Sequence, residues 1–395
     1  MSTSAAASRP PRSKENFLVF GMPPIEEAEI EEVVASMRSG WLGTGPKVAR
    51  FERDFAAYRR APNAVALNSC TAALHLSLLA ANLKPGDEVI TTPLTFCATV
   101  NAIIHAGATP VLADVDPATM NLDPAAVRAA VTSRTRAIVP VHFAGRACEM
   151  DEIMAIAADH GLVVVEDCAH AIETEYHGRP AGTIGDFGCF SFYATKNVVT
   201  GEGGMVVTRR EEDAARVKIL GLHGMSKDAW KRFGDEGYKH YQVVAAGFKY
   251  NMMDLQAAIG LHQLSRVTRY LRRREEIWAR YDEAFADLPI GLPVGPAAGT
   301  VHGRHLYTLL VDERRCGISR DGFLDAMTAR NIGVGVHYLS VPEHPYYQER
   351  FAWRPHDWPN ARRIGQETVS IPLGPRLTDD DVEDVVSAVR DIVGR

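Results

Sequence analysis

Two hydrophobic periodicities run along the chain and divide it into elements. Ile25, Ile30, Val33, Val34 and Met37 recur at helical spacing and predict an amphipathic helix over Pro23–Arg38. A second helix is expected over Val48–Arg59. From residue 64 short β-branched runs alternate with helical patterns. The spacing predicts helix 71–83, strand Glu88–Thr92, helix 97–106, strand Pro110–Asp114, helix 123–132, strand Ala137–Val141, helix 150–160 and strand 162–166. Such alternation predicts an α/β fold, with a mostly parallel central sheet and helices on both faces. An aromatic strand-like run, Phe187–Tyr193, and a short strand, Met205–Thr208, follow. Leu255–Ala286 reads as one long helix, and Leu288–Thr300 as a linker rich in proline and glycine. Strand 305–311, helix 320–331, strand 333–338 and helices 359–368 and 378–393 make a smaller C-terminal α+β domain. The expected division is a disordered tail over 1–15, a large α/β domain over 16–265 and a small domain over 266–395.

Composition narrows the classes. The chain has 395 residues, 46% hydrophobic and 23% charged, which is ordinary for a globular protein. Its net charge of −6, with acids and bases interspersed, leaves no footprint for nucleic acid. No apolar run is long enough to span a bilayer, and the N-terminus lacks the apolar centre of a signal peptide. The six cysteines form no C-x-x-C pair, which fits reduced thiols in the cytoplasm. No His/Cys spacing predicts a zinc or other metal site.

Three stretches carry chemistry. Lys196 lies in Asp186–Gly204 and is the only cation of that run, between an aromatic strand and a glycine-rich turn. An ammonium group held in a pocket has a lowered pKa and is a better nucleophile, which suits Schiff-base chemistry. A snorkelling surface lysine is the alternative for that stretch alone. Asp167 ends the run L-V-V-V-E, at the strand end where α/β folds place ligands. Taken alone it is equally a helix N-cap. Pyridoxal phosphate needs a lysine to hold it and an acid to keep its ring nitrogen protonated, and Lys196 with Asp167 fits that pair. The third stretch is N-S-C-T-A-A (68–73), where Cys70 and Thr71 open a helix whose free N–H groups can hold a phosphate. A plain N-cap is the alternative there. Ser191 is a further phosphate candidate. Phe96 is placed to stack on a flat ring or to serve as core, and His142 reads as structural.

Together these pieces resemble the DegT/DnrJ/EryC1/StrS family of sugar aminotransferases, which are fold-type I pyridoxal-phosphate enzymes. The resemblance runs from about residue 17 to the C-terminus. It is carried by G-W-L-G-T-G-P (40–46), N-S-C-T-A-A-L-H (68–75), V-V-E-D-C-A-H-A (164–171), F-S-F-Y-A-T-K-N (190–197), G-E-G-G (201–204) and G-F-K-Y-N-M-M-D (247–254), in that order. Within the family, P-V-H-F-A-G (140–145) and R-C-G-I-S-R-D (315–321) look most like the branch that makes UDP-4-amino-4-deoxy-L-arabinose.

The resemblance implies a ping-pong transfer from an amino donor, L-glutamate, to a UDP-4-keto sugar. It implies that His170 faces the cofactor ring near its phenolic oxygen. It also implies a homodimer with shared sites, in which Asn251 bonds the neighbour's cofactor phosphate and Lys249 reaches across. Trp41 and Thr44 then lie in a loop at the site's mouth, and His337 contacts the sugar. The loop 222–246 is expected near the substrate entrance. Three rivals keep the fold: a sugar dehydratase, in which histidine replaces the lysine; a non-catalytic regulatory member; and an aminotransferase for a cyclitol or other cyclic ketone. Lys196 disfavours the first, and intact Asp167, His170, Ser191 and Lys196 disfavour the second.

Overall fold

The computed structural model describes residues 9–226 and 241–394. Five strands are laid down first: β1 (Asn63–Leu67), β2 (Glu88–Thr91), β3 (Thr109–Leu112), β4 (Thr135–Val139) and β5 (Val163–Asp167). A small hairpin, β6 (Glu175–Tyr176) and β7 (Arg179–Pro180), precedes β8 (Phe187–Ser191) and β9 (Gly204–Thr208). The main sheet has seven strands in the order β1-β9-β8-β5-β4-β2-β3. Only β9 runs against the rest, pairing antiparallel with both β1 and β8. The remaining pairings are parallel, as the alternation predicts.

Parallel strands point their C-terminal ends to one edge. Leu67, Thr91, Val139, Asp167 and Ser191 therefore end side by side, and every chemistry-bearing loop leaves from that edge. The helix Cys70–Ala80 is buried along nearly its whole length against the sheet. Its entry needs Gly204 of β9, because a Cβ there would sit 2.3 Å from the Ser69 carbonyl. A larger residue would push the helix start away from β9.

The C-terminal part is built on β11 (Tyr307–Leu310) and β12 (Thr368–Ile371), which pair antiparallel; β10 (Thr300–Val301) returns to the hairpin β6–β7. The helix Asp254–Phe285 serves two cores. Ala257, Leu261, Leu264 and Val267 pack with Phe51, Phe55 and Phe192. Further along, Ile277, Trp278, Tyr281 and Phe285 pack with Tyr307, Phe323 and Val385. The expected boundary at 265/266 falls inside this helix, ahead of Val267, which still packs in the first core. Leu18 joins the second core, and Arg9 and Arg12 bind Asp380, Asp381 and Asp384 of the last helix.

Several elements differ from expectation. The first helix starts at Glu27 rather than Pro23, because successive prolines hold the chain extended and Glu26 with Glu29 forms the capping box. Its apolar stripe is not buried. Ile25, Ile30 and Met37 are 46%, 48% and 62% exposed, while Glu29 and Ser36 face inward. Glu29 pairs with Arg266 of the long helix and accepts from Gln263 at 2.8 Å. Strand 333–338 does not form. Glycines at 333 and 335 weaken it, and its backbone pairs only singly: the Gly333 N–H donates to the Leu18 carbonyl, and Gly335 bridges Ser370. Thr368, expected in a helix, opens β12 instead. The helices Glu211–Gly221 and Pro345–Phe351 were not foreseen. Of the loop 222–246, residues 227–240 lie outside those described, and with them the expectation about the substrate entrance.

Candidate active site

Cys70, Thr71, Phe96, Asp167, His170, Ser191, Lys196 and His337 line one cavity of about 490 Å³. They come from the ends of β1, β2, β5 and β8 and from the segment before β12. The turn that follows Lys196 bends at Gly201, whose φ of +81° glycine adopts without strain.

Lys196 is half-buried, and its amine makes no hydrogen bond or ion pair among the described residues. Burial lowers its pKa to about 8, although nearby Cys70 and Asp167 favour the charged form. Asp167 is buried. Its Oδ2 accepts from the Thr99 hydroxyl at 2.8 Å, and its Oδ1 from the Ala169 N–H at 3.1 Å. Thr99 in turn shares a 2.8 Å hydrogen bond with Thr95. Burial pushes the Asp167 carboxyl up, against the pull of Thr99. This carboxylate therefore lacks a full cationic partner, and a protonated ring nitrogen would supply one.

The helix start fits an anion. Ser69 caps it by accepting from the Ala72 N–H at 3.1 Å, and the Cys70 and Thr71 N–H groups at the positive end have no partner among the described residues. Burial holds the Cys70 thiol protonated, so its contribution comes through its backbone. Ser191 adds a hydroxyl. Phe96 is 58% exposed and lines the cavity. A buried acid, an uncharged-capable lysine, two helix amides and an aromatic ring make up the donor set that pyridoxal phosphate requires.

His170 is ordered by two hydrogen bonds. Its Nδ1 accepts from the Ala144 N–H at 3.2 Å, so Nε2 carries the hydrogen and reaches the Tyr338 hydroxyl at 3.0 Å. Burial and Lys196 hold its pKa well below the usual histidine range. His337 bonds Ser370 at 2.9 Å, and burial lowers its pKa to about 4.

Trp41, Thr44 and Asn251 line a separate depression. Asn251 donates to Thr44 at 2.6 Å and accepts from Lys249 at 2.6 Å, while the Trp41 indole donates to the Thr44 carbonyl at 3.2 Å. In this chain these four do not line the Lys196 cavity.

Sequence reasoning missed Thr99, His305 and the role of Tyr338 in holding His170. None lies in a motif by itself; their proximity comes from the folding of distant segments. Sequence spacing also gave no hint of a buried cluster of His142, Glu166 and Cys168, whose donor atoms lie within 4.8 Å of one another. His142 Nδ1 accepts from the Cys148 N–H at 3.0 Å, and Nε2 meets Glu166 at 3.0 Å. Glu166 also accepts from the N–H groups of Gly182, Ile184 and Gly185 at 2.7 to 2.8 Å. These lone pairs are spent on fastening the 182–185 turn, which matches the structural reading of His142.

The model of the DegT/DnrJ/EryC1/StrS aminotransferase family matches residues 23–390. The chain belongs to this family. The spore coat polysaccharide biosynthesis protein SpsC of Bacillus subtilis is 52% identical over 383 residues, covering 97% of this chain and 98% of SpsC. Spr1654 of Streptococcus pneumoniae, assigned as a sugar aminotransferase, was solved in its PLP form; it superposes with a TM-score of 0.89 at 33% identity over 96% of this chain and 99% of its own. PseC of Helicobacter pylori, an aminotransferase in pseudoaminic acid biosynthesis, gives 0.88 at 28% over 96% and 100%. The protein is thus an aminotransferase that uses pyridoxal phosphate, and its own residues fit that cofactor.

Proposed function

We propose that this aminotransferase moves an amino group from L-glutamate to a 4-keto sugar carried on UDP, by a ping-pong mechanism. One observation carries the reading: a half-buried Lys196 with a lowered pKa shares a cavity with a buried carboxylate and a helix start whose first N–H groups point at it. The names of SpsC, Spr1654 and PseC support a sugar as acceptor.

Bound pyridoxal phosphate supplies an electron sink and a carrier for the amino group. Lys196 would hold the cofactor, and its Nζ would take the proton from the donor's α-carbon. Asp167, aimed by Thr99 and Ala169, keeps the ring nitrogen protonated. The Cys70 and Thr71 amides with Ser191 hold the phosphate. Phe96 would pack against the cofactor ring, and neutral His170 would line the same cavity beside it. His337 faces the sugar. Incubation with L-glutamate and a UDP-4-keto hexose should release 2-oxoglutarate and amino sugar in equal amounts. Production of neither with any keto-sugar nucleotide would remove the acceptor class.

The lysine pKa gives a pH dependence. A lowered pKa means that the reactive neutral amine forms at lower pH. Capture of pyridoxal phosphate by apoenzyme should therefore quicken as pH rises, with a midpoint at about 8 rather than near the ordinary lysine value of 10.5. A stopped-flow pH series checks this.

The protein works as a homodimer, in the cytoplasm. Ile25, Ile30, Met37, Trp41 and Leu42, in and just after the first helix, are exposed apolar side chains that a second copy would bury. Asn251 and Lys249, beside Trp41 and Thr44, then reach the partner's cavity. Free cysteines throughout support a reducing compartment, and no helix among the described residues is long and apolar enough to cross a membrane. Mixing Lys196→Ala with Asn251→Ala protein after subunit exchange tests the sharing. About a quarter of wild-type activity should return, because each hybrid has one intact composite site. No recovery would place Asn251 in its own protomer's site.

A further inference from the structure

The residue after Lys196 organises a hydrogen-bond chain that the amine chemistry does not use. Asn197 Nδ2 donates to Glu173 at 2.8 Å and to the Gly303 carbonyl at 2.9 Å. Glu173 is buried and paired with Arg274, itself buried on the helix Asp254–Phe285. Two acceptors on one side fix the amide: its NH₂ faces them, and its Oδ1 faces away. Oδ1 meets His305 Nδ1 at 2.9 Å. An amide oxygen only accepts, so Nδ1 must carry the hydrogen.

His305 is buried, and its ring lies 4.4 Å from that of His170. Lys196, His337 and Arg274 also face it, and together with burial they keep the ring neutral. A neutral ring with hydrogen on Nδ1 carries a lone pair on Nε2. That nitrogen has no partner among the described residues, and His305 lines the Lys196 cavity. The neighbouring rings thus hold opposite tautomers. His170 carries its hydrogen on Nε2, already committed to Tyr338, and His305 keeps an unspent acceptor.

We propose that Asn197 is a positioning residue that locks His305 with its hydrogen on Nδ1, so that Nε2 accepts a hydrogen bond from a hydroxyl of the sugar. A hydroxylated acceptor is then preferred over its deoxy analogue, since the deoxy sugar would leave the nitrogen desolvated and unpaired. This specificity rests on the cavity being the acceptor-sugar site; the tautomer does not.

Neutron diffraction from crystals of the cofactor-loaded enzyme in heavy water tests the tautomer directly. A deuteron on His305 Nδ1 and none on Nε2 is expected; a deuteron on Nε2 would overturn the inference. Kinetics test the role. His305→Phe should raise KM for a UDP-4-keto hexose roughly tenfold, the cost of one lost hydrogen bond. The rate at which L-glutamate bleaches the enzyme's visible band should stay within about twofold. His305→Gln, whose amide oxygen can take the same hydrogen, should recover part of the loss. Asn197→Ala should show a mixed tautomer and a smaller rise in KM. An unchanged KM in His305→Phe, or equal loss in both half-reactions, would refute the assigned role. If L-glutamate bleaches no band in the wild type, the donor assignment fails while the tautomer result stands.

Discussion

Replacing Lys196 by alanine should lower turnover by about 10⁴-fold or more, the scale of a lost proton-transfer group combined with loss of covalent attachment. The variant should still fold, since the side chain makes no hydrogen bond or ion pair among the described residues and has no packing role beyond its stem. It should also still bind pyridoxal phosphate, because the Cys70 and Thr71 amides, Ser191 and Asp167 remain. The expected signature is a folded protein that takes up cofactor reversibly and completes almost no cycles. Steady-state assays with thermal melts separate this from unfolding. Multi-turnover activity near wild type would mean that another group moves the proton.

Asp167→Asn should cost about 10²–10³-fold in turnover, the range for removing one preorganised electrostatic partner. The change is nearly isosteric, and its amide can still accept from Thr99 or Ala169. What it loses is the charge that holds a proton on the ring nitrogen. Burial already works against that charge, so the wild-type site depends on the cation that the cofactor provides. The asparagine variant should therefore fold at least as well without cofactor, yet bind cofactor more weakly. Equilibrium titration of pyridoxal phosphate with pre-steady-state kinetics would show both effects. Full activity in Asp167→Asn would mean that ring protonation does not limit the reaction.

Much of this site could be read from the sequence because its parts are local. Asp167 follows a short run with three consecutive valines, and Lys196 follows an aromatic one; both strands end at the same sheet edge in the structure. Helix existence was legible wherever the apolar period was strong, and boundaries moved by only a few residues. Other features depend on long-range pairing and left no local mark. β1 was missed, although its five residues pair along their whole length with β9. Thr99 reaches Asp167 across 68 positions, and Asn197 reaches His305 across 108. The first helix misled in a different way. Its apolar period was real, but the fold buries the opposite face through Glu29. Periodicity identifies a helix without saying which neighbour covers each face.

The visible spectrum of the purified enzyme tests the central claim most directly. The account predicts a yellow band from cofactor held by Lys196, absent in Lys196→Ala. It predicts that L-glutamate bleaches the band and that a UDP-4-keto hexose restores it. A band untouched by L-glutamate would contradict the proposed donor half-reaction. No band after addition of pyridoxal phosphate would contradict the reading of the Lys196 cavity as the cofactor site.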